Sequence, residues 1–411
     1  MKNSSGDYVI EVFESVSKIA AAHWDELLAM HPGANPFMAH AYLWAMEHSA
    51  SSTPKTGWTP RFITLWRGGA LYAACPLYIK THSLGEFVFD WAWANAYAQH
   101  GLNYYPKAVV AVPFTPVPGP RLLARDAATR SALLQATLDF CRQQGLSSLH
   151  VLFASDHDIA AANAAGLMQR HTVQFHWANE TQPAPAIELG NTSDADTAHA
   201  HGHGTPWPTF DAFLASLTQE KRKKIRQERR KVVEAGVSFR ALEGRAITDP
   251  DWDFFYRCHE RTYHEHGNPP YLSREFFHLM AKHLAQNWLM FVAERAGRPI
   301  ATSLIALEPD SRTAYGRYWG ALERVDCLHF EACYYQPLQW CIANGYKHFE
   351  GGAQGEHKMA RALLPVSTSS SHWLAHPSFA DAVARFLERE GKGIDGYLEH
   401  LEKRTPFRAA K

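Results

Sequence analysis

Apolar positions along the chain follow two periods. Short alternating or continuous apolar runs bounded by glycine, proline or polar clusters predict strands, and i, i+3, i+4 spacing predicts helices. On this basis the first half reads as a strand over 8–13, helices around 18–30 and 38–48, and a hairpin over 61–79 turning at Arg67-Gly68-Gly69. Residues 85–120, rich in aromatic side chains and proline, are expected as irregular loop broken by one strand at 108–112. A helix over 127–144 ending at Gly145, a buried strand over 149–153, a helix over 158–165 and a strand over 170–177 complete this half.

Residues 189–208 carry small, polar and proline residues without periodicity, including His199, His201 and His203, and are expected as a linker. A helical region from Phe210 ends at Gly236, where glycine suits a left-handed cap. Next come a strand (237–242), helices near 249–265 and 273–286, and a hairpin (289–307) turning at Arg295-Ala296-Gly297-Arg298. A strand over 313–321 precedes an amphipathic helix (328–344) in which Pro337 should introduce a kink. A buried strand over 346–349, a strand near 371–374 and a polar C-terminal helix close the pattern.

The halves echo one another. Each has a hairpin with an Arg-Gly type of turn, and Cys141-x-x-x-Gly145-Leu146-x-x-Leu149 matches Cys341-x-x-x-Gly345-Tyr346-x-x-Phe349. The expected architecture is therefore α/β with mixed sheets, duplicated in tandem: 1–188, a linker at 189–208, 209–385, and a C-terminal helix and tail at 386–411.

Composition changes this little. With 41 basic and 41 acidic residues, 46% hydrophobic and 20% charged content, the chain reads as globular rather than as a globally basic nucleic-acid binder. Six cysteines without a C-x-x-C pair read as reduced thiols, and the start lacks an apolar leader, so a cytoplasmic protein is expected. No apolar run approaches the roughly 20 residues of a membrane helix. Walker, Rossmann and nucleophile-elbow patterns are absent. His259 and His264 stand five apart on different helix faces, so no metal site is expected.

Chemistry concentrates elsewhere. The strand ending in Phe349-Glu350 runs into Gly351-Gly352-Ala353-Gln354-Gly355, then Glu356, His357, Lys358 and Arg361. Strand, glycine break and convergent acids and bases is how α/β enzymes set chemistry at a strand's carboxyl end. Lys221–Lys231 packs eight cations into eleven residues, with Ile225 and Val232 marking the buried line; Lys224 and Arg226 are candidates to hold phosphate. On the strand before the amphipathic helix, simple alternation sets Arg317 and Trp319 on one face and Tyr318 on the other. His329 and Glu331 open that helix, where backbone N–H groups favour anions.

The order Leu217-Thr-x-x-Lys-Arg-Lys-Lys-Ile-Arg226, Arg317-Tyr-Trp-Gly320, His329-Phe-Glu331 and Phe349-Glu-Gly-Gly-Ala-Gln-Gly-Glu-His-Lys358 resembles the FemAB-like predicted N-acyltransferases. These are grouped with the GNAT acyltransferases and described as peptidoglycan biosynthesis or recognition proteins. The resemblance covers most of the chain and implies two GNAT-like domains in tandem. It also implies acyl or aminoacyl transfer to an amine, with acyl-CoA (acetyl-CoA) as the favoured donor and no metal. Aminoacyl-tRNA, held by the 221–231 helix, is the alternative donor; a non-catalytic binding protein is the alternative class. Arg317-x-x-Gly320-x-Leu322 keeps two elements of the GNAT pyrophosphate loop but ends in Leu. The implied roles are Glu350 or Glu356 as base, with His357 next, and Tyr318 as proton donor. Arg317, Trp319, Gly320, His329, Glu331, Gly351, Gly352, Gln354, Lys358 and Arg361 would bind donor or acceptor.

Overall fold

A computed structural model describes residues 3–5, 8–181, 204–353 and 355–408. The elements in chain order are β1 (Asn3–Ser5), β2 (Tyr8–Phe13), α1 (Ala21–Ala29), α2 (His40–His48), β3 (Trp58–Arg67) and β4 (Ala70–Lys80). There follow α3 (Trp91–Gln99), β5 (Lys107–Val110), β6 (Leu123–Ala124), α4 (Ala127–Gln143), β7 (Ser148–Ala154), α5 (Asp156–Ala164) and β8 (Met168–Ala178). The second half supplies α6 (Phe210–Ser216), α7 (Gln219–Glu234), β9 (Val237–Glu243), α8 (Asp249–Glu265), α9 (Arg274–His283), β10 (Trp288–Arg295), β11 (Arg298–Glu308) and β12 (Thr313–Ala321). Last come α10 (Leu328–Phe330), α11 (Gln336–Ala343), β13 (His348–Ala353), β14 (Leu364–Leu374) and α12 (Pro377–Glu402). Among the described residues no helix is long and apolar enough to cross a membrane.

The chain forms two compact units, and their boundaries are not those of the two sequence halves. The first comprises Met1–Thr172, Tyr271–Met280 and Thr368–Asp395; the second comprises Val173–Pro270, Ala281–Ser367 and Gly396–Lys411. In the first, strands neighbour one another in the order β1-β2-β3-β4-β5-β7-β14, over a core that includes Leu133, Leu134 and Leu149. In the second the order is β8-β13-β12-β11-β10-β9, over Phe213, Leu338, Phe349 and Leu363. Each unit's sheet thus takes in a strand from the other half of the sequence: β14 beside β7, and β8 beside β13.

The duplication is visible in local geometry. Gly68-Gly69 and Ala296-Gly297 take positive φ at both turn positions, and each hairpin carries a bulge one step earlier, at Leu65/Trp66 and Ala293/Glu294. Helices α4 and α11 end alike: Gly145 and Gly345 are left-handed, and Leu146 N and Tyr346 N donate to the carbonyls of Cys141 and Cys341 at 3.0 and 2.9 Å. Each helix then feeds a strand parallel to the one before it, β7 beside β5 and β13 beside β12.

Several expectations change. The stretch over 85–120 contains α3, because the alanines of Trp91-Ala-Trp-Ala-Asn-Ala-Tyr-Ala98 favour helix despite the aromatic spacing. The region from Phe210 is two helices, broken where Leu217 bridges to Phe407. Most of the expected linker, with its three histidines, lies outside the described residues, but its end does not behave as a linker. Trp207 is 7% exposed within the second core, and its backbone N–H donates to Asn179 Oδ1 at 3.0 Å. The kink expected at Pro337 is instead a π-helix, Glu331–Tyr335, between α10 and α11. A proline N cannot donate and its ring crowds the carbonyl four residues back, which a wider turn accommodates.

Candidate functional site

The site grows from one bulge in the second unit. On β11, Leu304 pairs with Tyr318, Ile305 with Gly316 and Ala306 with Tyr315, so Arg317 is an extra residue on β12. Leu304 and Ala306 share a face, and therefore so do Tyr318 and Tyr315. Simple alternation would have put Tyr318 opposite Tyr315; the bulge reverses it. Next door, β12 and β13 are paired in parallel through Thr313–His348, Ala314–Phe349 and Tyr315–Glu350. Glu350 therefore joins the face of Tyr315 and Tyr318 at the end of the paired segment. On its other side β8 places His176 opposite Glu350, Nε2 to Oε2 4.0 Å.

Burial, then the charges of His348 and Lys358, push His176 down to about 3, so it stands beside Glu350 as a neutral imidazole. It also meets Gln174 Oε1 at 3.1 Å. Tyr318 packs edge-on against His259 of α8, ring centroids 5.3 Å apart. Burial holds His259 down at about 4, also neutral.

The glycines have separate reasons. A Cβ on Gly351 would lie 2.2 Å from Leu363 Cδ2 and 2.8 Å from the Phe175 carbonyl, whereas Gly352 is open but holds φ +71°. Lys358 clamps this end of β13: its Nζ donates to the carbonyls of Gly351, Gly352 and Ala353 at 2.6, 3.2 and 2.8 Å. Burial lowers its pKa to about 8.

A second cluster lies around the π-helix. The His329 ring meets Trp319 (5.4 Å) and Tyr334 (5.7 Å), and Tyr334 OH lies 3.4 Å from His357 Nε2. Burial holds His329 down at about 4, and burial with the charge of Arg361 lowers exposed His357. Behind it Arg361, 2% exposed, stacks on Phe330 at 3.6 Å, donates to the His357 carbonyl at 2.7 Å and pairs with Glu228 of α7 at 2.8 Å. Glu228 also accepts from Tyr335 OH. Glu331, 3% exposed, takes Arg229 Nε at 3.1 Å and Gln336 Nε2 at 2.7 Å.

These positions correct several expectations. Lys358 and Arg361 are held internally rather than set out as anion holders: three carbonyls take Lys358 Nζ, and the His357 carbonyl and Glu228 take the two terminal nitrogens of Arg361, which is 2% exposed. Glu331 is a buried acid tied to α7, unavailable to a ligand. Glu356 turns to the surface, where Arg404 (2.5 Å) and Tyr397 (3.2 Å) hold its carboxyl below the usual range, a poor setting for a base. Gly320 is no phosphate loop: it lies inside β12, where a Cβ would fall 2.3 Å from the Cys258 carbonyl of α8. Trp319 shares its face with neither Tyr318 nor Glu350 and packs with Val325 and Leu328. Arg317, the bulged residue, has its guanidinium 5.2 Å from the Tyr318 ring. Lys224 and Arg226 are exposed, Arg226 3.8 Å from Asp211. Gln354 lies outside the described residues.

Sequence reading overlooked His176, Glu228, Tyr334 and Tyr335. A signal for the first existed: His176-Trp177 recurs as His372-Trp373, and His372 faces His150 on β7 just as His176 faces Glu350 on β13. In the first unit His150 and His372 meet Nδ1 to Nδ1 at 2.7 Å.

A profile of the family described as peptidoglycan biosynthesis/recognition matches residues 15–186 and 190–409. The chain belongs to the FemAB-like family. Among solved structures, this FemAB-like chain shares its fold with the C-terminal domain of a putative lysylphosphatidylglycerol synthetase from Agrobacterium fabrum. That likeness has a TM-score of 0.53 at 9% identity and covers 90% of this chain and 96% of that one. FemX aligns over 91% of this chain and 100% of its own, at TM-score 0.50 and 10% identity. L-PGS from Bacillus licheniformis covers 90% and 96%, again at 0.50 and 10%. At such identities the likeness speaks for the fold. Among curated proteins none matches the sequence.

Proposed function

We propose that this FemAB-like protein is an N-acyl or aminoacyl transferase, moving an acyl group from an activated ester or thioester to an acceptor amine. Glu350 is the base and Tyr318 the acid. The observation that carries this reading is the bulge at Arg317, which turns Tyr318 to the Glu350 face beside the end of the β12–β13 pairing. The amine nitrogen bonds to the donor carbonyl carbon and its proton passes to Glu350. As the C–O or C–S bond breaks, Tyr318 gives its proton to the leaving oxygen or sulfur, and exchange with water resets both groups. Neutral His176 supports the assignment, since it flanks Glu350 without locking it in an ion pair.

The family description favours a cell-wall precursor amine as acceptor. For the donor, two observations favour a nucleic-acid-borne aminoacyl ester over acyl-CoA. Gly320 is committed to helix packing rather than to pyrophosphate, and α7 exposes Lys223, Lys224, Arg226, Arg230 and Lys231. Purified protein with a precursor peptide is offered acetyl-CoA or charged tRNA, and amide formation is followed by mass spectrometry. Glu350→Gln and Tyr318→Phe each lower turnover by about 10²-fold or more while leaving the fold intact. Reversing the charge of Lys223 and Lys224 raises KM for tRNA alone. Turnover that survives both Glu350→Gln and Tyr318→Phe sinks the mechanism; no product from any donor supports a binding protein instead.

A further inference from the structure

In the first unit one short segment is inside out. Between Leu84 and Trp91 the acids face inward: Glu86 and Asp90 are 4% and 2% exposed, whereas Leu84, Phe87, Phe89 and Trp91 are 49%, 39%, 59% and 42% exposed. With Leu102 these make five of the nine large apolar side chains exposed among the described residues. Isolated exposed apolar residues are ordinary, but a run of them is not.

The reversal is built. Fully buried Lys107 donates to Glu86 Oε2 and Ser83 Oγ, each at 2.8 Å, and to Asp90. Tyr104 OH donates to Asp90 Oδ2 at 2.6 Å. With both acids and Val88 held inside, the residues between them are turned outward. Phe87 sits at φ +61°, a conformation that costs a bulky side chain energy and persists where surroundings impose it. Beyond the segment, Trp93 and Tyr97 of α3 turn back into a core with Val383 and Leu387.

Charge decides what covers this surface. From Thr81 to Pro106 the only Asp, Glu, Lys or Arg residues are Glu86 and Asp90, both buried; exposed polar groups there belong to Thr, Asn, Gln and His. The cations that reach the turn are buried or paired: Lys80, 0% exposed, donates to the Leu84 carbonyl at 3.1 Å, Lys107 lies beneath the two acids, and Arg170, which donates to the Phe89 carbonyl at 2.6 Å, is paired with Glu390 at 2.8 Å. A protein interface rings its aromatic anchors with polar and charged groups. A charge-free turn of Leu, Phe and Trp instead matches insertion past the headgroups of a bilayer, since Trp settles at the membrane–water boundary and no charge has to be carried toward the hydrocarbon, where it would be costly. We propose that the Leu84–Trp91 turn is a membrane-interface anchor that inserts Leu84, Phe87, Phe89 and Trp91 into a phospholipid surface. The proposal stands apart from the transfer chemistry.

Flotation of the full chain with vesicles of phosphatidylcholine alone tests it. The wild type floats in low and high salt, and the Phe89→Ser, Trp91→Ser double variant loses about tenfold or more of its partitioning while melting at the wild-type temperature. Leu84→Ser, a second and milder variant, shows a smaller loss. Wild-type protein that stays out of neutral vesicles overturns the proposal, as does a double variant that floats equally well. Binding only to anionic phosphatidylglycerol vesicles, abolished by salt, assigns the contact to the basic helix α7 and also overturns it. So does a dimer in sedimentation that depends on Phe89 and Trp91 without vesicle binding, which makes the turn a protein interface.

Discussion

Glu228→Gln probes the joint between the basic helix and the turn that carries His357. Glu228 is the one acid within a run of cations, and it is buried beneath Arg361, which is 2% exposed. In the wild type its Oε2 accepts from both Arg361, at 2.8 Å, and Tyr335 OH. A glutamine keeps the shape and one acceptor oxygen but leaves the guanidinium without a countercharge. Breaking a buried pair from one side costs about 3–5 kcal/mol. The retained acceptor and the stacking on Phe330 place this case near about 3 kcal/mol. For a unit of this size that is a fall in Tm of roughly 6–12 °C. Circular dichroism melts and urea titrations measure it, with Glu220→Gln, at an 80%-exposed side chain, as a control that moves stability by less than about 0.5 kcal/mol. A cycle with Arg361→Met adds a sharper test: the double variant should cost less than the sum of the two singles, because no buried charge remains unpaired. Strict additivity, or a Glu228→Gln variant within about 0.5 kcal/mol of wild type, refutes the reasoning.

Gly320→Ala should destabilise by about 1–3 kcal/mol, since its Cβ would lie 2.3 Å from the Cys258 carbonyl; a wild-type melt refutes the close approach. Gly391→Ala and Gly393→Ala, open positions within α12, should each stabilise by up to about 1 kcal/mol in the same assay. His176, His259, His329 and His372 are held neutral with pKa values of about 3 to 4, below the 6.5 of an unfolded imidazole. The unfolded chain binds more protons over that interval, so stability is full above pH 6.5 and falls as pH drops toward 3, and a flat urea midpoint between pH 7 and 5 contradicts this. Lys358, lowered to about 8, contributes with the same sign at the alkaline end: its own share of stability grows from about pH 8 toward 10.5, so the urea-midpoint gap between wild type and Lys358→Met should change over that interval, and a constant gap contradicts this.

The elements that follow local rules were legible. The hairpin turns at Gly68-Gly69 and Ala296-Gly297, and the helix ends at Gly145 and Gly345, are encoded by residues tolerant of positive φ a few positions from where they act. The tandem repeat rests on those same signals, and Glu350 stood out because an acid beside a glycine pair is a local anomaly. Roles that depend on distant partners were not legible. Nothing near Lys358 or Arg361 announces that one is occupied by three carbonyls and the other by Glu228, more than a hundred residues earlier. Glu86 and Asp90 read as ordinary loop acids until Lys107 is brought beneath them.

By itself, the sequence determined the α/β character, the duplicated order of strands and helices, and a strand that carries Glu350, because periodicity, capping and turn chemistry act over a few residues; the break expected at Gly351-Gly352 is not there, since β13 runs on through both glycines to Ala353. Only the tertiary structure decided that β14 and β8 complete the opposite halves' sheets, since strand pairing is settled by long-range register. Only it placed Tyr318 on the Glu350 face, through one extra residue whose effect appears when β11 and β12 are laid side by side. It also decided which charges are free, because a cation's availability depends on what the fold packs against it.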